Sequence, residues 1–130
     1  MNQNRNDHDS IAAAHLHETL GIQAIAQRDY PRAENHLLLA LAVKTRLQQR
    51  LNIATVDIGL IHNHLGTVRR AMDKYREAAG HFDLAWSIYL SHYGEKFELV
   101  MRLYDLYVEC IQSAEVVDNA AHFPTSAQAA

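Results

Sequence analysis

Two prolines and five glycines are all the helix breakers in this chain of 130 residues. So little punctuation leaves no room for the many tight turns of a small β-sandwich or barrel, and it favours long helices. A single cysteine, Cys110, excludes an internal disulfide and makes a reducing compartment the expectation. It lies inside an apolar helical stretch, where a buried and inert thiol is expected. No run approaches the roughly 18–20 apolar residues of a membrane helix, so no membrane partner is expected. The opening MNQNRNDHDS carries charge with no apolar stretch behind it, does not read as a secretory signal, and leaves a cytoplasmic location as the expectation. Basic excess is missing too. Twelve Lys and Arg against 15 Asp and Glu give a net charge of −3 with neutral histidines, which argues against nucleic acid as a partner. Glycine-rich phosphate loops, HExxH helices, nucleophile elbows and paired catalytic carboxylates are likewise lacking, so the chain is read as non-enzymatic, with no catalytic residue, cofactor or metal ligand assigned.

What is present is a repeat. Apolar residues, 48% of the total, suffice for one continuous core. Sliding residues 16–43 onto 61–88, an offset of 45, aligns His17 with His62, Leu20 with Leu65, Gly21 with Gly66, Ala26 with Ala71 and Tyr30 with Tyr75. It also aligns Ala33 with Ala78, His36 with His81, Leu39 with Leu84 and Ala40 with Ala85. These small, aromatic and apolar positions have helical spacing. A fixed period of this size means stacked supersecondary units, neither able to bury its apolar face alone.

Three segments are expected: a disordered polar stretch over 1–9, a helical repeat domain over 10–122, and a flexible small-residue tail over 123–130. Asp9 or Ser10 would cap a first helix running to about Gln27, with Ala13, Leu16, Leu20 and Ala24 as its stripe. Pro31 suits the first turn of a second helix, which ends near Gln49. Residues 32–58 contain neither glycine nor proline. There, Asn52 or Thr55 would cap a third helix, with one fused helix as the alternative. A fourth helix starts near Tyr75 and ends at His92-Tyr93-Gly94, with Gly94 placed to turn left-handed. A fifth covers roughly 96–113, and a short sixth covers 115–122.

Each unit thus pairs a helix carrying Leu-Gly with a helix carrying spaced alanine and aromatic positions. These are Leu20-Gly21, Tyr30, Ala33, Leu37 and Ala40 in one unit, and Leu65-Gly66, Tyr75, Ala78, Phe82 and Ala85 in the next. A mid-helix glycine costs about 1 kcal/mol relative to alanine and is tolerable where a neighbouring helix must come close. Leu37 and Phe82 would fill the space between. The pattern resembles the tetratricopeptide repeat. Its long period, with Asn63-His64-Leu65-Gly66 followed by Lys74-Tyr75-Arg76-Glu77-Ala78, is similar to the long repeats of kinesin light chains and bacterial regulators. The resemblance covers about residues 11–112, with Leu103, Leu106 and Cys110 opening a weaker third unit. It implies an all-α, right-handed α-α superhelix of antiparallel helix pairs, with five to six helices.

That resemblance also implies a concave groove lined by the first helix of each unit. The lining would be His15, Glu18, Ile22 and Ile25, then Leu60, Asn63, Thr67 and Arg70, then Met101, Tyr104 and Val108. An apolar floor with a few polar handles suits a peptide. The lysine and asparagine set with which family members hold the carboxylate of chaperone tails is not matched: His64 stands where the asparagine usually does, one residue beyond Asn63. The expected function is therefore a protein-interaction module, scaffold or adaptor, that takes a peptide or partner helix. A regulatory subunit within a larger signalling or transcription assembly is the alternative. Helix two carries Leu37-Leu38-Leu39-Ala40-Leu41-Ala42-Val43, apolar around most of its circumference. The stripe left over, centred on Leu38 and Ala42, is expected to support a homodimer or to be covered by a dedicated partner.

Two further features carry chemistry. Nine histidines include the i, i+2 pairs His15/His17 and His62/His64, whose members point to opposite sides of a helix and cannot chelate one metal locally. His17, His36, His62 and His81 could assemble a metal or pH sensor across helices, although His17 and His62 as half-buried aromatic substitutes, bonded at one nitrogen, is the reading preferred. The basic run Arg69-Arg70-Ala71-Met72-Asp73-Lys74-Tyr75-Arg76 could grip a carboxylate or phosphate, but a solvated helix end is the expectation.

Overall fold

The computed structural model describes residues 2–122, with side chains over 6–121, and is built of five helices. They are α1 (Asn2–Ala26), α2 (Tyr30–Leu47), α3 (Thr55–Ala71), α4 (Tyr75–Tyr93) and α5 (Glu98–His122). The described residues contain no strand, and no helix among them is long and apolar enough to cross a membrane. Contacts between Asp7 and Arg50, Glu18 and Lys44, and Gly21 and Leu37 run in opposite chain directions, so α1 and α2 are antiparallel. Those between Gly66 and Phe82, and between Gly59 and Tyr89, make α3 and α4 antiparallel in the same way.

The 45-residue period extends to the backbone. The N–H of Asp29 donates to the Ala24 carbonyl (2.9 Å), and the N–H of Lys74 donates to the Arg69 carbonyl (2.8 Å), at equivalent positions. Each turn is made by a left-handed residue just before the donor, Arg28 (φ 60°) and Asp73 (φ 61°). Glycine usually holds this place after a helix, because a Cβ there crowds the following carbonyl. Arg28→Gly is therefore expected to stabilise the fold by about 1 kcal/mol, read as a higher urea midpoint at unchanged slope. Asp73→Gly should gain less, because Asp73 Oδ1 accepts from the Tyr75 hydroxyl at 2.9 Å. Asp29 caps α2 by accepting from the Arg32 N–H, and Pro31 lies in the first turn.

Close approach is set by the two mid-helix glycines. A Cβ on Gly21 would stand 2.8 Å from Leu37 Cγ, and one on Gly66 would stand 2.6 Å from Phe82 Cε1. Leu37 and Phe82 do fill the space between the helices, fully buried. Alanines Ala33, Ala40, Ala78 and Ala85 are buried beside them. One core joins Ala14, Ala24, Leu37, Ile61, Leu65 and Val68 across α1, α2 and α3. A second joins Phe82, Tyr89, Val100, Leu103 and Cys110 across α4 and α5.

Four boundaries differ from the sequence reading. Residues 2–9, expected to be disordered, continue α1, so neither Asp9 nor Ser10 caps it. The physical anchor is Asp7, 1% exposed and paired with Arg50 at 3.3 Å. α2 ends at Leu47 rather than Gln49, and it is not fused to α3. Asn52 takes a positive φ (51°) in the intervening turn, α3 starts at Thr55 after Ala54, and neither Asn52 nor Thr55 caps it. Finally, the expected short sixth helix is the last part of α5, which runs unbroken to His122 with Ala114 buried and Asp118 paired to Arg76 of α4. The expected tail over 123–130 lies outside the described residues.

Candidate functional site

The chain leaves α4 at Gly94, whose φ of 84° no L-residue adopts easily, although ψ is 169° rather than the left-handed helical value expected. The Tyr93 ring then meets Phe97 (centres 4.5 Å apart) and Tyr89 (5.7 Å), which folds α5 back along α4. Between the two helices opens a cleft of about 340 Å³. Its walls are Trp86 and Leu90 of α4, Glu95 of the connection, and Val100, Met101, Tyr104 and Asp105 of α5. Trp86 and Tyr104 stand with ring centres 5.9 Å apart at 49°, a tilted aromatic contact across the two helices. Met101 is 58% and Tyr104 51% exposed, high for side chains of this type.

The sequence-derived groove residues fall into separate surroundings. Met101 and Tyr104 share this cleft. Glu18 instead pairs with Lys44 at 2.6 Å, Arg70 pairs with Glu109 of α5, and Ile25 packs on the first core. His15 and Thr67 are exposed, the carbonyls of His15 and Asn63 accepting from the Thr19 and Thr67 hydroxyls. Ile22 is exposed, and Leu60 and Val108 are half-buried. Trp86, Glu95 and Asp105 were not among the groove residues expected. Leu38 and Ala42 of α2 are exposed beside Leu39.

The four aligned histidines come together as two pairs. His17 and His36 Nδ1 atoms are 2.9 Å apart, and those of His62 and His81 are 3.0 Å apart. Ring centres lie 5.1 and 5.3 Å apart, so the rings meet edge to edge through those nitrogens. One Nδ1 of each pair must carry its proton and the other must be bare. Among the described residues no group of three or more histidine, cysteine, aspartate or glutamate side chains is placed to hold a metal. Burial lowers the pKa of His62, and burial with the nearby His62 and Arg69 pushes His81 down to about 4, against a smaller opposing pull from Glu77.

The basic run is neutralised internally. Arg69 pairs with Glu34 and Glu77, Arg70 with Glu109, and Arg76 with Asp118. These pairs tie α3 to α2, α4 and α5, and α4 to α5, which leaves little free charge for an anion. Cys110 is buried, and burial raises its thiol pKa, which keeps it unreactive. No protein-family model, curated protein or solved structure matches the chain.

Proposed function

We propose that this chain is a protein-interaction module of tetratricopeptide-like helix pairs that takes a peptide or partner helix against the α4–α5 cleft. The observation that carries the reading is the open aromatic cleft itself. Its floor is apolar, Trp86 and Tyr104 wall it, and Met101 and Tyr104 remain half exposed, as anchors of a docking site do. Peptides selected from a random display library on the full chain provide the test. Met101→Asp with Tyr104→Ala should abolish their binding, and both side chains are exposed enough that the far-UV spectrum should remain helical. Undiminished binding would reject the cleft.

A second reading, a pH sensor, rests on the paired histidines. A neutral pair keeps its Nδ1 hydrogen bond, whereas a second added proton must place two cations about 3 Å apart. Arg69 of α3 disfavours that charge and Glu77 of α4 favours it. With the folded pKa of His81 near 4 and the reference near 6.5, the folded state binds fewer protons than the unfolded one. The stabilisation is therefore full above pH 6.5 and is lost as pH falls towards 4. The melting midpoint should drop across this window, and His62→Phe with His81→Phe should flatten the drop. An identical drop in that variant would refute the reading.

A further inference from the structure

Two carboxylates line the α4–α5 cleft, Glu95 on the connection and Asp105 on α5. Among the described residues neither carboxylate takes part in an ion pair, whereas Arg69, Arg70 and Arg76 are all engaged elsewhere. No basic side chain lines the cleft. Lys96 adjoins Glu95 in sequence but is not in the wall, and Arg102 lines a separate depression with Phe97, Glu98 and Leu99. Two carboxylates outside any ion pair therefore share the cleft with a tilted aromatic pair, one ring of which is the only tryptophan of the chain.

That combination recognises a cation on an apolar stem. A guanidinium is planar, lies flat on an indole or phenol face, and offers forked N–H donors to carboxylates on either side. A purely apolar anchor would leave both carboxylates unused, and an acidic one would be repelled. We propose that the occupant of the cleft is an arginine side chain of a partner protein segment. Its guanidinium lies on the open side of the Trp86–Tyr104 pair, with Glu95 and Asp105 as its counter-ions, and apolar neighbours in the segment rest on Met101. This proposal rests on the docking reading above and adds the chemistry of what docks.

The single tryptophan gives one indole N–H resonance in a ¹⁵N-labelled sample of the full chain, seated in the cleft. The probes are acetyl-Leu-Arg-Leu-amide and its counterpart with citrulline, a neutral isostere of arginine. The arginine peptide should shift the indole signal saturably. The citrulline peptide should bind at least about tenfold more weakly, and raised salt should narrow the gap. Glu95→Gln with Asp105→Asn, both at exposed positions, should remove the preference while leaving the helical spectrum unchanged. Equal affinity for the two peptides, or an unchanged preference in the double variant, overturns the cation assignment and leaves an apolar docking cleft standing. An indole signal that responds to neither peptide overturns the docking reading together with it.

Discussion

Lys44→Met is expected to destabilise the fold by about 3–5 kcal/mol, the usual cost of leaving one partner of a buried ion pair behind. Lys44 is 2% exposed at the α1–α2 contact, and its ammonium donates to Glu18 at 2.6 Å. Glu18 is itself largely covered, and its carboxylate also acts on His64 of α3. Burial lowers the pKa of His64 while the Glu18 carboxylate pulls it up. Removing the ammonium leaves a largely buried carboxylate without its counter-ion. Thermal unfolding should show a midpoint lower by roughly 10–20 °C. Glu18→Leu combined with Lys44→Met should recover most of the loss, since an apolar pair of similar volume replaces a buried ion pair at little or no cost. A loss below about 1 kcal/mol for Lys44→Met would mean that the pair is solvated.

The contact between Gly66 and Phe82 should show the second large effect. A methyl at Gly66 would meet three Phe82 ring carbons, Cε1 at 2.6 Å and Cδ1 and Cζ at 2.8 Å, and Phe82 is fully buried with nowhere to swing. Overpacking costs about 1–3 kcal/mol, and alanine's better helix propensity returns about 1. Gly66→Ala should therefore destabilise by about 2 kcal/mol at most. Phe82→Ala should cost about 3–5 kcal/mol by opening a cavity. Combining them should cost clearly less than the sum, because the new methyl enters the space the ring vacates. Strict additivity in a urea-unfolding cycle would show that the two do not touch.

The repeat was legible because its marks are local. Small residues and aromatics recur at fixed offsets, and close helix packing needs those residue types at those places. Gly21 with Leu37, and Gly66 with Phe82, meet as the spacing demanded. What stayed hidden depends on distant pairings. Nothing near Asp7 announces that Arg50 will cover it, so 2–9 read as a polar tail rather than as helix. The break after α2 carries no glycine or proline, and Asn52 supplies the positive φ without a sequence mark. The sixth helix could have been avoided, since no breaker lies between Gly94 and Pro124 to end α5.

The site shows the same division. Histidines at equivalent positions were visible in the repeat, but their edge-to-edge pairing follows from the register of neighbouring helices. Met101 and Tyr104 were expected in a groove lined by the first helix of each unit, and they line the α4–α5 cleft instead. Trp86 sits on the other helix of the cleft and Glu95 on the connection, so only the α4–α5 crossing brings them to the same place. Glu18 read as a groove handle because its partner Lys44 is 26 residues away on another helix.

The position of a bound segment decides whether the α4–α5 cleft is the docking site. Hydrogen–deuterium exchange of the full chain, with and without a peptide selected on it, measures this along the whole backbone. The α4–α5 cleft predicts slowed exchange over the last turns of α4, the connection through Glu95, and the first turns of α5 to Asp105. Protection confined to α1 and α2, with the cleft amides unchanged, would contradict it.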